Sequence, residues 1–183
     1  MKIVIAPYST RLFTGNPNPK NFPHWHQVVH QLNALGHEVI QLGIPGEQRI
    51  IGASQFIINW PLKKLRDVIL NADTWLSVDS FLPHFVWVEK LNKRGVVVWS
   101  LSDPLIWGHP ENINLLKSRE YVRSLQYQDW LTPTYNADAF VAPEEVVNAV
   151  QYILTRNRPA DRAGVVSSSL QLAEQTQEES FTF

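Results

Sequence analysis

Cysteine is absent from the 183-residue sequence, and methionine occurs once. With no thiol, disulfides, thiolate zinc sites, iron–sulfur clusters and a cysteine nucleophile are excluded. An excess of one charge is also missing: 16 Lys and Arg stand against 17 Asp and Glu, a formal net charge of −1. That balance argues against broad electrostatic binding to nucleic acid. No apolar run approaches the roughly 18 residues that a membrane-spanning helix needs. The apolar start Ile3-Val4-Ile5-Ala6 is too short for a signal peptide and runs into Pro7. A cytoplasmic location is the resulting expectation. Neither G-x-G-x-x-G, nor a P-loop, nor H-E-x-x-H occurs, which counts against simple dehydrogenase, NTPase and zinc-protease readings. His24, His26 and His30 lie close together. Only His26 and His30 share a helical face, and no third ligand joins them, so no metal site and no cofactor are expected.

What is present is ordinary globular composition, 44% hydrophobic and 18% charged. The length fits one domain with a remainder. It is enough to bury a core without disulfides, and too little for a complete enzyme made of two Rossmann-like halves.

Strand and helix patterns alternate. Residues 2–6 are a β-branched run ending at Pro7, and predict a buried strand. A long polar loop rich in Pro and Asn follows, and loops of that length are usually functional or mobile. Trp25, Val28, Val29, Leu32 and Leu35 recur at helical spacing, and Gly36 stops that helix. Further strands are predicted at 38–42, 55–59, 74–78 and 96–100, with a sixth at 113–115. Helices are predicted from Pro61 to about Asn71, over 81–91 as a buried helix, and from Pro143 to Leu154. Residues 117–135 stay ambiguous between a helix and a loop. The fold expectation is an α/β three-layer Rossmann-like sandwich with a parallel sheet of about six strands. It occupies residues 1–155, and residues 156–183 read as a disordered tail.

In an open parallel sheet, ligands bind beyond the carboxyl ends of the strands. The polar residues falling there are Ser9, Thr10, Arg11 and Lys20 after the first strand, and Glu47 after the second. Asp79 and Ser80 follow the fourth, and Ser102 and Asp103 the fifth. Hydroxyls, cations and a helix start suit phosphate. A carboxylate after the second strand suits ribose hydroxyls. Each residue also has a plain structural role to weigh: Asp79 and Ser80 as helix caps, Asp103 as a turn residue before Pro104. His84 reads as a core histidine and the loop charges as solvated. Of the Trp residues, Trp25, Trp60, Trp75, Trp87 and Trp99 are expected in the core. Trp107 and Trp130 fall in loop-like stretches and are candidates for a base or sugar platform.

Taken in order, these segments resemble glycosyltransferase family 9, the heptosyltransferases, in their C-terminal, donor-binding half of the GT-B architecture. The resemblance is carried by Ser9-Thr10, Lys20-Asn21-Phe22-Pro23, Leu42-Gly43-Ile44-Pro45-Gly46-Glu47 and Asp79-Ser80-Phe81-Leu82-Pro83-His84. Leu101-Ser102-Asp103-Pro104 with Trp107-Gly108, and the closing 143–154 helix, complete it. It covers roughly residues 2–155 and implies a single GT-B half. It also implies a nucleotide-diphosphate sugar donor held by Ser9, Thr10, Arg11, Lys20, Glu47, Asp79, Ser80, His84 and Asp103. Phe81 stands where the family has Gly, and the loop after the first strand is stretched by residues 13–19. The family's acceptor domain and catalytic base lie in its other half. The implied function is therefore a glycosyltransferase-like protein, with transfer requiring an acceptor-domain partner or a homo-oligomer. The alternative is a non-catalytic nucleotide or nucleotide-sugar module, or a scaffold that keeps only the fold.

Overall fold

Strand and helix alternate through the computed structural model, which describes residues 1–10, 12, 18–126 and 135–156. The strands are β1 (Lys2–Ala6), β2 (Glu38–Gly43), β3 (Gln55–Ile58), β4 (Thr74–Val78), β5 (Gly95–Val98) and β6 (Ile113–Leu115). The helices are α1 (Trp25–Ala34), α2 (Leu62–Leu70), α3 (Phe81–Val88), α4 (Pro104–Trp107) and α5 (Pro143–Arg156). One six-stranded sheet runs β3-β2-β1-β4-β5-β6, with each pairing parallel. The expected α/β three-layer sandwich is what forms. The order reverses between β1 and β4, the switch point at which such sheets open a crevice.

The period of two along each strand decides which layer a side chain joins. Ile3 and Ile5 pack with Val28 and Leu32 of α1 and with Val146 and Ile153 of α5. Val4 and Ala6 pack on the opposite face with Leu65 and Ile69 of α2 and Leu82 and Val86 of α3. Burying one such Ile, Leu or Val contributes about 1.5–3 kcal/mol. Gln41 is the large polar exception in this core. Its Nε2 donates to Gln48 O at 2.9 Å and its Oε1 accepts from Ile50 N at 2.7 Å, so it pins the loop between β2 and β3.

Several expectations are corrected. The helix predicted over 81–91 ends at Val88. Lys90 takes φ 50°, Leu91 N donates to Val86 O and Lys90 N to Trp87 O. That pattern closes a helix and normally uses Gly at the left-handed position; here a Lys occupies it, which hid the stop. The helix is also not buried all round: Leu82, Pro83 and Val86 face inward, while Phe81, Trp87 and Val88 are exposed. Trp25, Trp75 and Trp99 are core as expected, but Trp60 and Trp87 are 43% and 56% exposed. Trp107 is partly buried and packs against the core on the α2 and α3 face of the sheet. The ambiguous 117–135 stretch holds one short 3-10 turn, Arg119–Tyr121, among its described residues. Arg11, Trp130 and the tail from residue 157 lie outside the described residues.

Candidate functional site

Beyond the carboxyl ends of β1 to β4 lies a cleft of about 280 Å³. Ser9 and Thr10 reach it from the end of β1, Glu47 from the turn after β2, and Ser80 from the end of β4. Four sequence-predicted residues thus share one cavity. Tyr8, Asn59, Trp60 and Phe81 line it as well.

The loop after β1 is tied down by polar contacts. Ser9 N donates to Asn21 Oδ1 at 2.8 Å, Asn18 Nδ2 to Thr10 O at 2.7 Å, and Lys20 N to Asn18 Oδ1 at 3.0 Å. Ser100 Oγ donates to Pro19 O, joining the loop to the end of β5. This network places Lys20 Nζ 2.6 Å from Asp79 Oδ2, with side chains only 13% and 8% exposed. Asp79 therefore holds the loop cation at the head of α3. Ser80 is the N-cap residue of α3, yet its side chain makes no capping bond. Its buried Oγ has no hydrogen-bond partner among the described residues, and neither does Ser77 Oγ behind it. A buried hydroxyl without a partner is costly. In Ser80 it sits beside first-turn N–H groups that no helix satisfies internally.

Glu47 is placed by its own turn. Its Oε2 accepts from Ile44 N at 3.0 Å. Gly43 makes room for it: a Cβ there would meet Phe56 Cε2 at 2.5 Å and Glu47 Oε2 at 2.7 Å. Burial, and then the charge of Glu47, push the Tyr8 phenol above its ordinary pKa. Tyr8 thus stays a neutral hydroxyl at physiological pH.

Four predicted residues do not line the cleft: Lys20 and Asp79 pair with each other at the head of α3, and Asp103 and His84 are held by other partners. Asp103 accepts from Arg119 Nη1 at 3.2 Å and Nη2 at 2.5 Å, and from Leu105 N at 3.0 Å as the N-cap of α4. The Arg119 bonds hold its carboxyl below the usual range. His84 Nδ1 lies 2.9 Å from His109 Nε2, and His109 stacks on Trp87. Burial and the neighbouring His84 lower the His109 pKa. Neither Asp103 nor His84 lines the cleft. Among the described residues no group of three or more metal-ligating side chains occurs, and no helix is long and apolar enough to cross a membrane.

Sequence reasoning missed Trp60 because a Trp flanking an amphipathic helix reads as core. The signal that could have found it is Pro61, the N-cap residue of α2, because a residue before proline is biased away from the helix and its apolar stripe.

No protein-family model matches the sequence, and no curated protein matches it. Solved structures do. A glycosyl transferase family 9 protein from Veillonella parvula aligns with a TM-score of 0.65 and 15% identity, covering 86% of this chain and 46% of that one. ADP-heptose lps heptosyltransferase II from E. coli gives 0.60 and 14%, covering 85% and 46%. E. coli heptosyltransferase WaaC with ADP gives 0.58 and 16%, covering 83% and 44%. The six-stranded parallel sheet flanked by helices matches the Rossmann-like GT-B half of these proteins. At these identities the likeness is one of fold, and the chain spans less than half the length of each.

Proposed function

We propose that this chain binds a nucleotide-diphosphate sugar in the cleft beyond β1 to β4, as the donor-binding half of a glycosyltransferase. The observation that carries the reading is the convergence of Ser9, Thr10, Glu47 and Ser80 on one cavity at the switch point of the sheet. Hydroxyls and a helix N-terminus suit the phosphates. The same groups stabilise the charge that develops on a nucleoside diphosphate leaving group. The Glu47 carboxylate accepts hydroxyl donors from ribose. Two fold neighbours, an ADP-heptose lps heptosyltransferase and heptosyltransferase WaaC with ADP, support the same substrate class.

Transfer requires an acceptor-binding half, which this reading assigns to a partner chain or a second copy. The neighbours are about twice the length matched here. A second reading, a binding module without turnover, is favoured by Phe81. Its side chain is 48% exposed at the cleft, beside Ser80, where the resemblance places a glycine. Calorimetric titration with ADP- and UDP-sugars tests both. Binding at micromolar to millimolar ligand is expected, and folded protein that binds neither overturns the proposal. Binding without transfer, alone and with candidate acceptor partners, selects the module.

A further inference from the structure

The order of the strands lays out the chemistry of the cleft in a row. β3, β2, β1 and β4 lie side by side. From their carboxyl ends come Trp60, Glu47, Ser9 with Thr10, and Ser80, in that spatial order. Neighbouring strands are about 4.8 Å apart, so the three steps from β3 to β4 span about 14 Å. That span suits an extended nucleoside diphosphate. The row runs from a flat apolar ring, through a carboxylate, to hydroxyls at a helix start.

The carboxylate fixes the direction. Glu47 repels phosphate and accepts from hydroxyl groups, so phosphates belong on the Ser9, Thr10 and Ser80 side. Trp60 is left at the other end. Its ring is held for such a role. Asn59 takes φ 52° and donates its N–H to Gly43 O at 3.0 Å, which anchors the turn carrying Trp60 to the end of β2. Trp60 borders both the cleft and an adjoining groove, while Lys64 borders only the groove. Lys64 Nζ stands 5.5 Å from the Trp60 ring centroid. The ammonium lies over the ring and lines the groove and not the cleft, and Trp60 keeps 43% of its surface exposed.

We propose that Trp60 is the platform on which the base of the nucleotide stacks, with the ribose diol on Glu47 and the phosphates towards Ser80. This assignment rests on the reading of the cleft as a nucleoside-diphosphate site. It makes a flat heterocycle, rather than the diphosphate alone, the main source of affinity. A base on an aromatic ring contributes enough that its removal is readily measured.

The test is calorimetry on the full chain with ADP, adenosine and pyrophosphate as probes, for wild type, Trp60→Phe and Trp60→Ala. Trp60 is partly exposed, and circular dichroism verifies that both variants are folded. Trp60→Ala is expected to weaken ADP and adenosine alike, by about tenfold or more. Trp60→Phe keeps most of the affinity, and pyrophosphate binding is the same in all three. Unchanged ADP affinity in Trp60→Ala overturns the platform while the nucleotide reading stands. An equal loss of pyrophosphate also overturns it, because stacking does not touch that probe. Wild-type protein that binds no probe overturns the platform and the nucleotide reading together.

Discussion

Lys20 Nζ and Asp79 Oδ2 stand 2.6 Å apart, joining the loop after β1 to the residue that follows β4. The two residues are distant in sequence and meet because β1 and β4 are neighbours in the sheet. Desolvation makes such a pair a poor source of net stability, but removing one partner leaves the other charged and buried. Lys20→Met and Asp79→Asn are each expected to destabilise by about 3 kcal/mol. The double variant should cost less than the sum of the two. Urea denaturation in a double-mutant cycle measures this. Strict additivity would show that the pair is not coupled.

Glu47 is expected to act through its charge on hydroxyl donors of the ligand. Glu47→Gln should weaken ADP by about tenfold, in line with loss of a charged hydrogen bond. The same substitution should scarcely change binding of a 2′,3′-dideoxy analogue, which lacks the diol. Calorimetry with the two nucleotides checks it. An equal loss for both would place Glu47 away from the ribose.

Gly43→Ala tests how that carboxylate is seated. The added Cβ would crowd the Phe56 ring and the Glu47 carboxylate. Overpacking of this kind costs about 1–3 kcal/mol. A lowered melting temperature is expected together with weaker nucleotide binding. Unchanged values for both would show that the turn relaxes freely.

His109 gives the pH dependence. Its folded pKa lies below the ordinary 6.5, chiefly through burial and then through His84, while Glu111 pulls it upward. The unfolded chain therefore takes up the proton first. Stability from this group is full above pH about 6.5 and declines as pH falls towards the lowered folded value. Glu111→Gln should lower the His109 pKa further, and His84→Asn should raise it. Ring-proton NMR titration reads both shifts, and shifts of the opposite sign would refute the assignment.

Asp103 behaves in the opposite range of pH. The Arg119 bonds depress its folded pKa below the ordinary 3.8. Its contribution is present above pH about 3.8 and is lost as pH falls through the depressed value. Asp103→Asn should flatten the acid limb of the stability curve, measured by thermal melts between pH about 2 and 5. An unaltered limb would show that other carboxylates control acid unfolding.

The layers of the fold are legible in local pattern alone. Ile3-Val4-Ile5-Ala6 and Val96-Val97-Val98 are two-faced apolar runs, and Val28, Val29 and Leu32 form a one-sided stripe. Their periods alone require buried parallel strands covered by helices. The positions of Ser9, Glu47 and Ser80 after strands placed them at one end of the sheet, because chain direction is a local property. Tertiary structure decided everything that depends on strand order and on partners far along the chain. It put Trp60 on the rim instead of the core, since that depends on which neighbours cover a ring. It gave Asp103 to Arg119, a partner 16 residues away. It ended α3 at a left-handed Lys90, a conformation that Lys does not advertise. The strand order β3-β2-β1-β4 also came only with the fold. Local periodicity says that strands are buried, while the packing of crossover helices determines which strands become neighbours.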